Sequence, residues 1–282
     1  MLKMWLINAK GDELQIIPND NFVFTGSQGI DAPSASITTA PNGSIDGEQY
    51  IHSRVNMREL DFNFYITKRA EENKLLINKY CQTKKYVKVR VQTDYRDVFI
   101  EGYCEDITIN PHVRPVTLQL AIKCPRPFFQ GSTAVLEMLS TSIDNFTFPF
   151  AIETPIEISY KNKTLEKVIT NKGDRETGFL IEIQASGDVV NPTIYNRGTG
   201  EFIGVDIPLR EGDRLYINTI EGNKGATLFR DGIEQNVFNY VKKNSTWLQL
   251  ETGDTVFTYN SEEDTVDNMD VVFHYNTLYD SF

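Results

Sequence analysis

Apolar and polar residues alternate with a period of two over several short stretches of this chain, and the period turns helical once. Leu60, Phe62, Phe64 and Ile66 alternate with Asp61, Asn63 and Tyr65. Val87, Val89 and Val91 alternate with Lys88 and Arg90, and Val116, Leu118, Leu120 and Ile122 with Thr117, Gln119 and Ala121. Each stretch reads as a strand that buries one face and wets the other. Asp97–Ile100 and Glu105–Ile109 carry weaker versions of the same signal. Between the first two strands the spacing changes. Over Lys68–Gln82 there is no Gly or Pro, and Ala70, Asn73, Leu76, Ile77, Tyr80 and Cys81 recur at intervals of three and four. That stripe predicts one amphipathic helix, with Thr67 as its N-cap, Glu71 and Glu72 at its start and Lys79 at its end.

Residues 25–56 break the pattern. They hold Gly26, Gly29, Pro33, Pro41, Gly43 and Gly47 among many small polar residues, and Ile37 and Ile45 hint at short strands. A segment of this length and composition is either a surface loop or an arm lying on a neighbouring subunit. The first half closes at Cys124-Pro125-Arg126-Pro127-Phe128-Phe129, where two prolines interrupt strand pairing. A Ser/Thr-rich connector follows over 132–145. The second half begins near Phe146. Its best strands are Ile156–Tyr160, Gly178–Ile183, Arg214–Ile220, Trp247–Leu250, Asp254–Tyr259 and Asp270–Tyr275. Turn signals cut it at Gly212-Asp213, Gly222-Asn223, Asp231-Gly232 and Gly253-Asp254. The first three lie about ten residues apart, the rhythm of an antiparallel sandwich. The expectation is a mainly β protein of two domains, 1–131 and 146–282.

Composition narrows the function. With 282 residues, 40% hydrophobic and 24% charged, the chain suits two ordinary globular domains. No apolar run is long enough to span a membrane, and the N-terminus does not read as a signal peptide. The net charge of −11 argues against binding to nucleic-acid phosphates, though not against a wall that DNA slides past. Cys81, Cys104 and Cys124 match no zinc spacing and no disulfide framework, so they read as buried free thiols.

No catalytic constellation emerges. His52, His112 and His274 fall in no metal-binding or triad spacing. Glu262-Glu263-Asp264 reads as a solvated turn rather than a cleft with paired carboxylates. The glycines at Gly198-Thr199-Gly200 and Gly222-Asn223-Lys224-Gly225 open no helix, so they do not cradle phosphate. The expectation is a chain that is not an enzyme and needs no cofactor or metal.

One order of small motifs carries a resemblance. Thr199-Gly200-Glu201, Asp206-Ile207-Pro208-Leu209, Gly212-Asp213, Gly222-Asn223-Lys224, Ser245-Thr246-Trp247-Leu248 and Gly253-Asp254 resemble the C-terminal domain of the phage distal tail protein family. Ser44-Ile45-Asp46-Gly47, Arg58-Glu59-Leu60-Asp61-Phe62, the helix and Cys124–Phe129 extend the likeness to the first half. The resemblance implies a β-barrel-like N-terminal ring domain with one helix, and a C-terminal galectin-like β-sandwich. It implies a homo-hexamer at the virion tail tip, assembled in the host cytoplasm. The tail tube protein would lie above, fibre or receptor-binding proteins below, and a channel for DNA through the middle. The alternative is a carbohydrate-binding module that touches the host wall. In that reading Trp247 would stack on a sugar; otherwise it packs between the sheets.

Overall fold

The computed structural model describes residues 2–43, 45–139 and 166–282. The chain divides into two compact units, Met1–Ser132 with Leu278–Phe282, and Thr133–Thr277. The connector from 140 onward, the start of the second domain near Phe146 and the expected strand Ile156–Tyr160 lie outside the described residues.

The first unit contains β1 (Lys3–Asn8), β2 (Glu13–Ile17), β3 (Phe22–Gln28), β4 (Ala35–Pro41), β5 (Glu48–Val55), β6 (Arg58–Ile66), helix α1 (Ala70–Tyr80), β7 (Tyr86–Gln92), β8 (Asp97–Asn110), β9 (Val116–Cys124) and β10 (Phe129–Gly131). Seven of them make one antiparallel path, β2-β1-β7-β8-β9-β6-β3, and β10 adds to β8. The C-terminal Leu278–Tyr279 pairs with β10, which returns the end of the chain to this unit. The prolines at 125 and 127 therefore interrupt the sheet without ending it. The alternating stretches are strands as read. Leu60, Phe62, Val87, Val89, Val91 and Leu120 are fully buried on one face, and Ile77 and Cys81 from the helix join that core. The barrel expectation needs correction. β2 and β3 end the path, and no ladder joins them among the described residues, so the sheet is curled but open.

The helix is shorter than its pattern. It begins at Ala70, behind Arg69 in the left-handed region (φ 44°), and no side chain caps it. Thr67 is not its N-cap; its hydroxyl donates instead to Asp20 O at 2.9 Å. Asn73, the polar member of the stripe, is buried and donates to Lys68 O at 2.6 Å, which closes the helix start from within.

The second unit is a sandwich of two antiparallel sheets. Its strands are β11 (Val135–Met138), β12 (Glu166–Asn171), β13 (Leu180–Ala185), β14 (Val189–Asn196), β15 (Phe202–Gly204), β16 (Pro208–Leu209), β17 (Arg214–Asn218), β18 (Gly225–Arg230), β19 (Ile233–Asn236), β20 (Gly253–Glu262) and β21 (Met269–Tyr275). One sheet runs β11-β21-β13-β17-β18-β19. The other runs β12-β20-β14-β15, with β16 also on β14. Phe273 from the first sheet and Phe257 from the second meet with ring centroids 5.0 Å apart, and Phe179 stacks on Phe273 at 4.5 Å. The turn signals mark real turns. Asp231 and Gly232 both take positive φ (51° and 77°) in the two-residue hairpin between β18 and β19. Trp247–Leu250 is not a strand; only an isolated bridge ties Leu250 to Thr177.

Asp213, in one of those turns, is almost fully buried. Arg230 grips both of its oxygens, and the Arg210 backbone N–H donates to Oδ2 at 2.8 Å. Burial pushes the carboxyl up, but Arg230 and that N–H overcome it and hold the pKa below the ordinary value. A depressed folded pKa means the stabilisation is complete above the unfolded value, about 3.9, and is lost as pH falls through the lower folded one. Thermal melts from pH 7 down should therefore show Asp213→Asn losing about 1–3 kcal/mol near neutrality. The gap to the parent should narrow below about pH 4.

Candidate functional site

The hairpin of β4 and β5 stands apart from every other strand. It forms a sheet of its own, paired from Ala35↔Val55 to Pro41↔Glu48. Its turn closes with Ile45 N–H donating to Asn42 O, flanked by Gly43 and Gly47 at positive φ. Ser44, part of the motif quoted above, is not among the described residues. The ribbon is internally bonded: Tyr50 and Ser53 hydroxyls meet at 2.9 Å, and Thr39 donates to Glu48. Its apolar side chains nevertheless face solvent. Ile37 is 65% exposed, Tyr50 60% and Ile51 56%. An isolated two-stranded ribbon is marginal in water, and large exposed apolar side chains do not improve it. Within residues 25–56 the chain thus forms a regular hairpin rather than an irregular loop.

Its base is fixed firmly. Ser36 donates to Asn56 Oδ1 at 2.7 Å, and Asn56 Nδ2 donates to Ser34 Oγ at 3.2 Å. Two residues further on, Arg58 opens β6 with only 3% of its surface exposed. Its guanidinium donates to four carbonyls: Gly29 O, Asp31 O and Asp280 O at 2.7 Å, and Pro127 O at 2.5 Å. The plane lies over the Phe129 ring, 4.7 Å from its centroid. Burial lowers the Arg58 pKa, against the opposing pull of Cys124, Asp280 and Asp31. Gly29 must be glycine: φ is +77°, and a Cβ would sit 1.8 Å from Glu59 O. Two motifs far apart in sequence, Arg58–Phe62 and Cys124–Phe129, thus meet at one point. Alternation alone could not reveal this, since Arg58 reads as the polar end of a strand.

On the outer side of the same sheet, charges meet in cross-strand pairs. Arg90 holds Asp97 through two bonds of 2.9 and 2.7 Å, Lys88 lies 3.5 Å from Glu101, and Lys123 lies 2.7 Å from Glu105. The Arg90 guanidinium keeps the Asp97 carboxyl below its ordinary range.

The remaining sequence candidates stay scattered. His52 lies on β5, His112 in the turn after β8, and His274 on β21 in the second unit. His274 contacts Glu182 at 3.0 Å, and Tyr216 donates to the same carboxylate at 3.3 Å. Glu262 is held by Asn191 and Lys242, while Glu263 and Asp264 turn the chain at positive φ. Among the described residues no three His, Cys, Asp or Glu side chains are grouped to hold a metal. Trp247 is half-buried against the sandwich core, and its ring stacks on Phe238 with centroids 5.8 Å apart and planes 17° from parallel.

The chain is mainly β, with a lone ribbon in the first unit and a two-sheet sandwich in the second. Residues 172–279 match the family model described as siphovirus-type tail component, C-terminal domain. The solved structures agree in fold. The crystal structure of the Dit (gp 19.1) protein of phage SPP1, titled a paradigm of the hub adsorption apparatus in Gram-positive infecting phages, aligns over 97% of this chain and 98% of its own, at 14% identity and a TM-score of 0.68. Chains of the phage P2 baseplate in its activated conformation align over their whole length and all of this chain. With Ca the identity is 12% and the TM-score 0.57; with Sr they are 13% and 0.54. No curated protein matches. The family match thus covers part of the second unit, and over the whole chain the likeness to these solved structures is one of fold.

The clamp on Arg58 generates a clear test. Removing the guanidinium strands four carbonyls, and a lysine cannot reproduce the planar fork. With Trp247→Phe as background, Trp5 is the sole tryptophan and reports the first unit. In urea titrations followed by its fluorescence, Arg58→Met and Arg58→Lys should each lose about 3 kcal/mol or more.

Proposed function

We propose that this chain is a structural, non-catalytic hub of a phage tail tip, whose first unit closes a ring of identical copies. The observation that carries the reading is the β4–β5 ribbon. It is hydrogen-bonded at its base and within itself, and it carries Ile37, Tyr50 and Ile51 in the open among polar residues, which suits an arm laid on the next copy. Contacts from one surface to a different surface on a neighbour are heterologous. They close only at a set number of copies, and six is what the family resemblance implies. The ring would surround a channel for DNA. Walls whose basic residues are already paired with acids, as Arg90, Lys88 and Lys123 are, would hold phosphate weakly. The tail tube would sit on one side and adsorption proteins on the other, with the sandwich as the second, separately folded domain beyond the connector.

Ile37→Asp with Ile51→Asp tests the arm. Both side chains are exposed in the single chain, so its melting temperature should stay within about 2 °C of the parent. Mass photometry and negative-stain images should show rings for the parent, alone or with its tail partners, and single copies for the variant. Rings that still close in the variant would remove the ribbon from the interface.

The second reading is host-sugar contact at Trp247. Phe238, stacked on it, is exposed, which is the observation in its favour. One indole face is already covered by Phe238, which favours packing. Trp247→Ala should lower the second unit's stability by about 2–4 kcal/mol, below the full cost of a wholly buried tryptophan. Glycan-array signal should not differ between parent and variant; a stable variant that loses glycan signal would reverse the assignment.

A further inference from the structure

The closing turn of the ribbon holds the chain's one asparagine followed by glycine, Asn42-Gly43. The hairpin itself calls for both residues. Ile45 N–H donates to Asn42 O at 3.1 Å, which places Asn42 first in the turn and Gly43 second. Gly43 takes φ 59° there, a conformation that glycine enters without strain. Asparagine is at home in such turns. Both residues are exposed, and a Cβ built on Gly43 would meet nothing within 4 Å. Among the described residues neither the Asn42 carboxamide nor the Gly43 N–H has a hydrogen-bond partner. Asn8, Asn56, Asn73, Asn171 and Asn268 are each held through their side chains.

We propose that Asn42-Gly43 is a self-modifying site, where Asn42 deamidates through a cyclic imide and leaves aspartate or isoaspartate at the ribbon's tip. The Gly43 nitrogen gives its proton to a base in the solvent and attacks Cγ of Asn42. A C–N bond forms and the Cγ–Nδ2 bond breaks. The proton returns to the departing nitrogen, which leaves as ammonia. Water then opens the five-membered ring. Cleavage at Cγ gives aspartate, and cleavage at the main-chain carbonyl gives isoaspartate. One water is consumed and one ammonia released, with no change of oxidation state. Glycine serves the reaction twice. With no Cβ at residue 43 nothing crowds the attacking nitrogen, and the backbone there rotates freely toward the carboxamide. A loop tip outside the strand ladder leaves room for that rotation.

Two other pairs lead to the same ring, Asp46-Gly47 and Asp231-Gly232. Both start from a carboxylate, which is a poor electrophile near neutral pH. The second is also fixed by its two-residue hairpin, with Arg230 paired to Ile233 and both turn residues at positive φ. Asn42 therefore reacts first. Either product adds one negative charge to a chain already at −11, in the same tip as the exposed Asp46 and Glu48. Isoaspartate also adds one methylene to the backbone inside the turn, which displaces the bond from Ile45 to Asn42. The age of a copy is thus written at the tip of its ribbon. The inference is independent of the ring, because it concerns one copy.

The test uses the full chain, held warm for weeks at mildly alkaline pH beside a sample at mildly acidic pH, then digested and mapped by mass spectrometry. In the parent, the peptide containing residue 42 should gain about 1 Da. It should separate into two products, one of them a substrate for isoaspartyl methyltransferase. Conversion should run faster in the alkaline sample, because the attacking nitrogen must lose its proton. Peptides holding the other asparagines should lag several-fold. Ion exchange of the intact protein should show an acidic species growing in step. Gly43→Ala should slow conversion at residue 42 several-fold. Mapping the parent decides the matter even if that variant folds poorly. An unchanged residue 42, earlier conversion at another asparagine, or equal rates in the parent and a folded Gly43→Ala chain would each overturn the site.

Discussion

A single buried cation organises the first unit. Arg58 gathers carbonyls from the loop before the hairpin, from the proline-rich close after β9 and from the last residues of the chain. Each of these segments also sends an apolar side chain to the core, Ile30, Phe129 and Tyr279 with Phe282. A buried guanidinium is costly unless every donor is engaged, and here the engagement is what defines where three strands of chain may run. Gly29 follows from that demand, since its carbonyl must reach Arg58 while its α-carbon lies against Glu59. The ribbon's direction follows in turn, because both of its strands leave from residues next to this knot. Function, in the reading proposed above, depends on the aim of that ribbon and hence on Arg58.

How much of this was legible beforehand varies with the physics. Strands with one wet face announced themselves, as β6, β7 and β9 did. β1 did not, because Trp5 and Ile7 make its second face apolar too and erase the alternation. The two weak signals over Asp97–Ile100 and Glu105–Ile109 belong to one strand, β8, split by the bulge after Cys104. β14 was hidden by Pro192, which argues against a central strand. The chain tolerates it because the register with β20 shifts between Val190 and Thr193, so no ladder bond is required there. Trp247–Leu250 misled in the other direction. Its alternation places Leu248 and Leu250 in the core, but packing a segment against a sheet does not require it to join one.

The site was legible in pieces and not as a whole. Gly and Pro in residues 25–56 marked a segment with a special course, and Ile37 hinted at its strands. The knot beneath it joins residues up to 222 positions apart, and such contacts leave no periodic trace. The quoted motifs contain Arg58, Pro127 and Phe129, so family likeness carried information that patterning could not.

Strand length separates this ribbon from the sheet edges of the second unit. Exposed edges invite unwanted pairing, and proteins blunt them by keeping them short or charged. The second unit does so: β15 has three residues, β16 two, and β19 four, with Glu234, Gln235 and Asn236 along it. The hairpin does the opposite. β5 is eight residues long, and the ribbon carries Ile37, Tyr50 and Ile51 in the open. β11 and β12 also end sheets in the second unit and expose Leu136, Met138 and Val168, but at four and six residues both are shorter than β5. The ribbon sits on the best-anchored base in the first unit, where Arg58 holds its direction. Rigidity at the base lowers the entropy lost when the ribbon docks, so the energy of burying its apolar side chains is kept for the contact. Exposure and anchoring together are what an assembly arm requires, and neither alone would distinguish one from a loose loop.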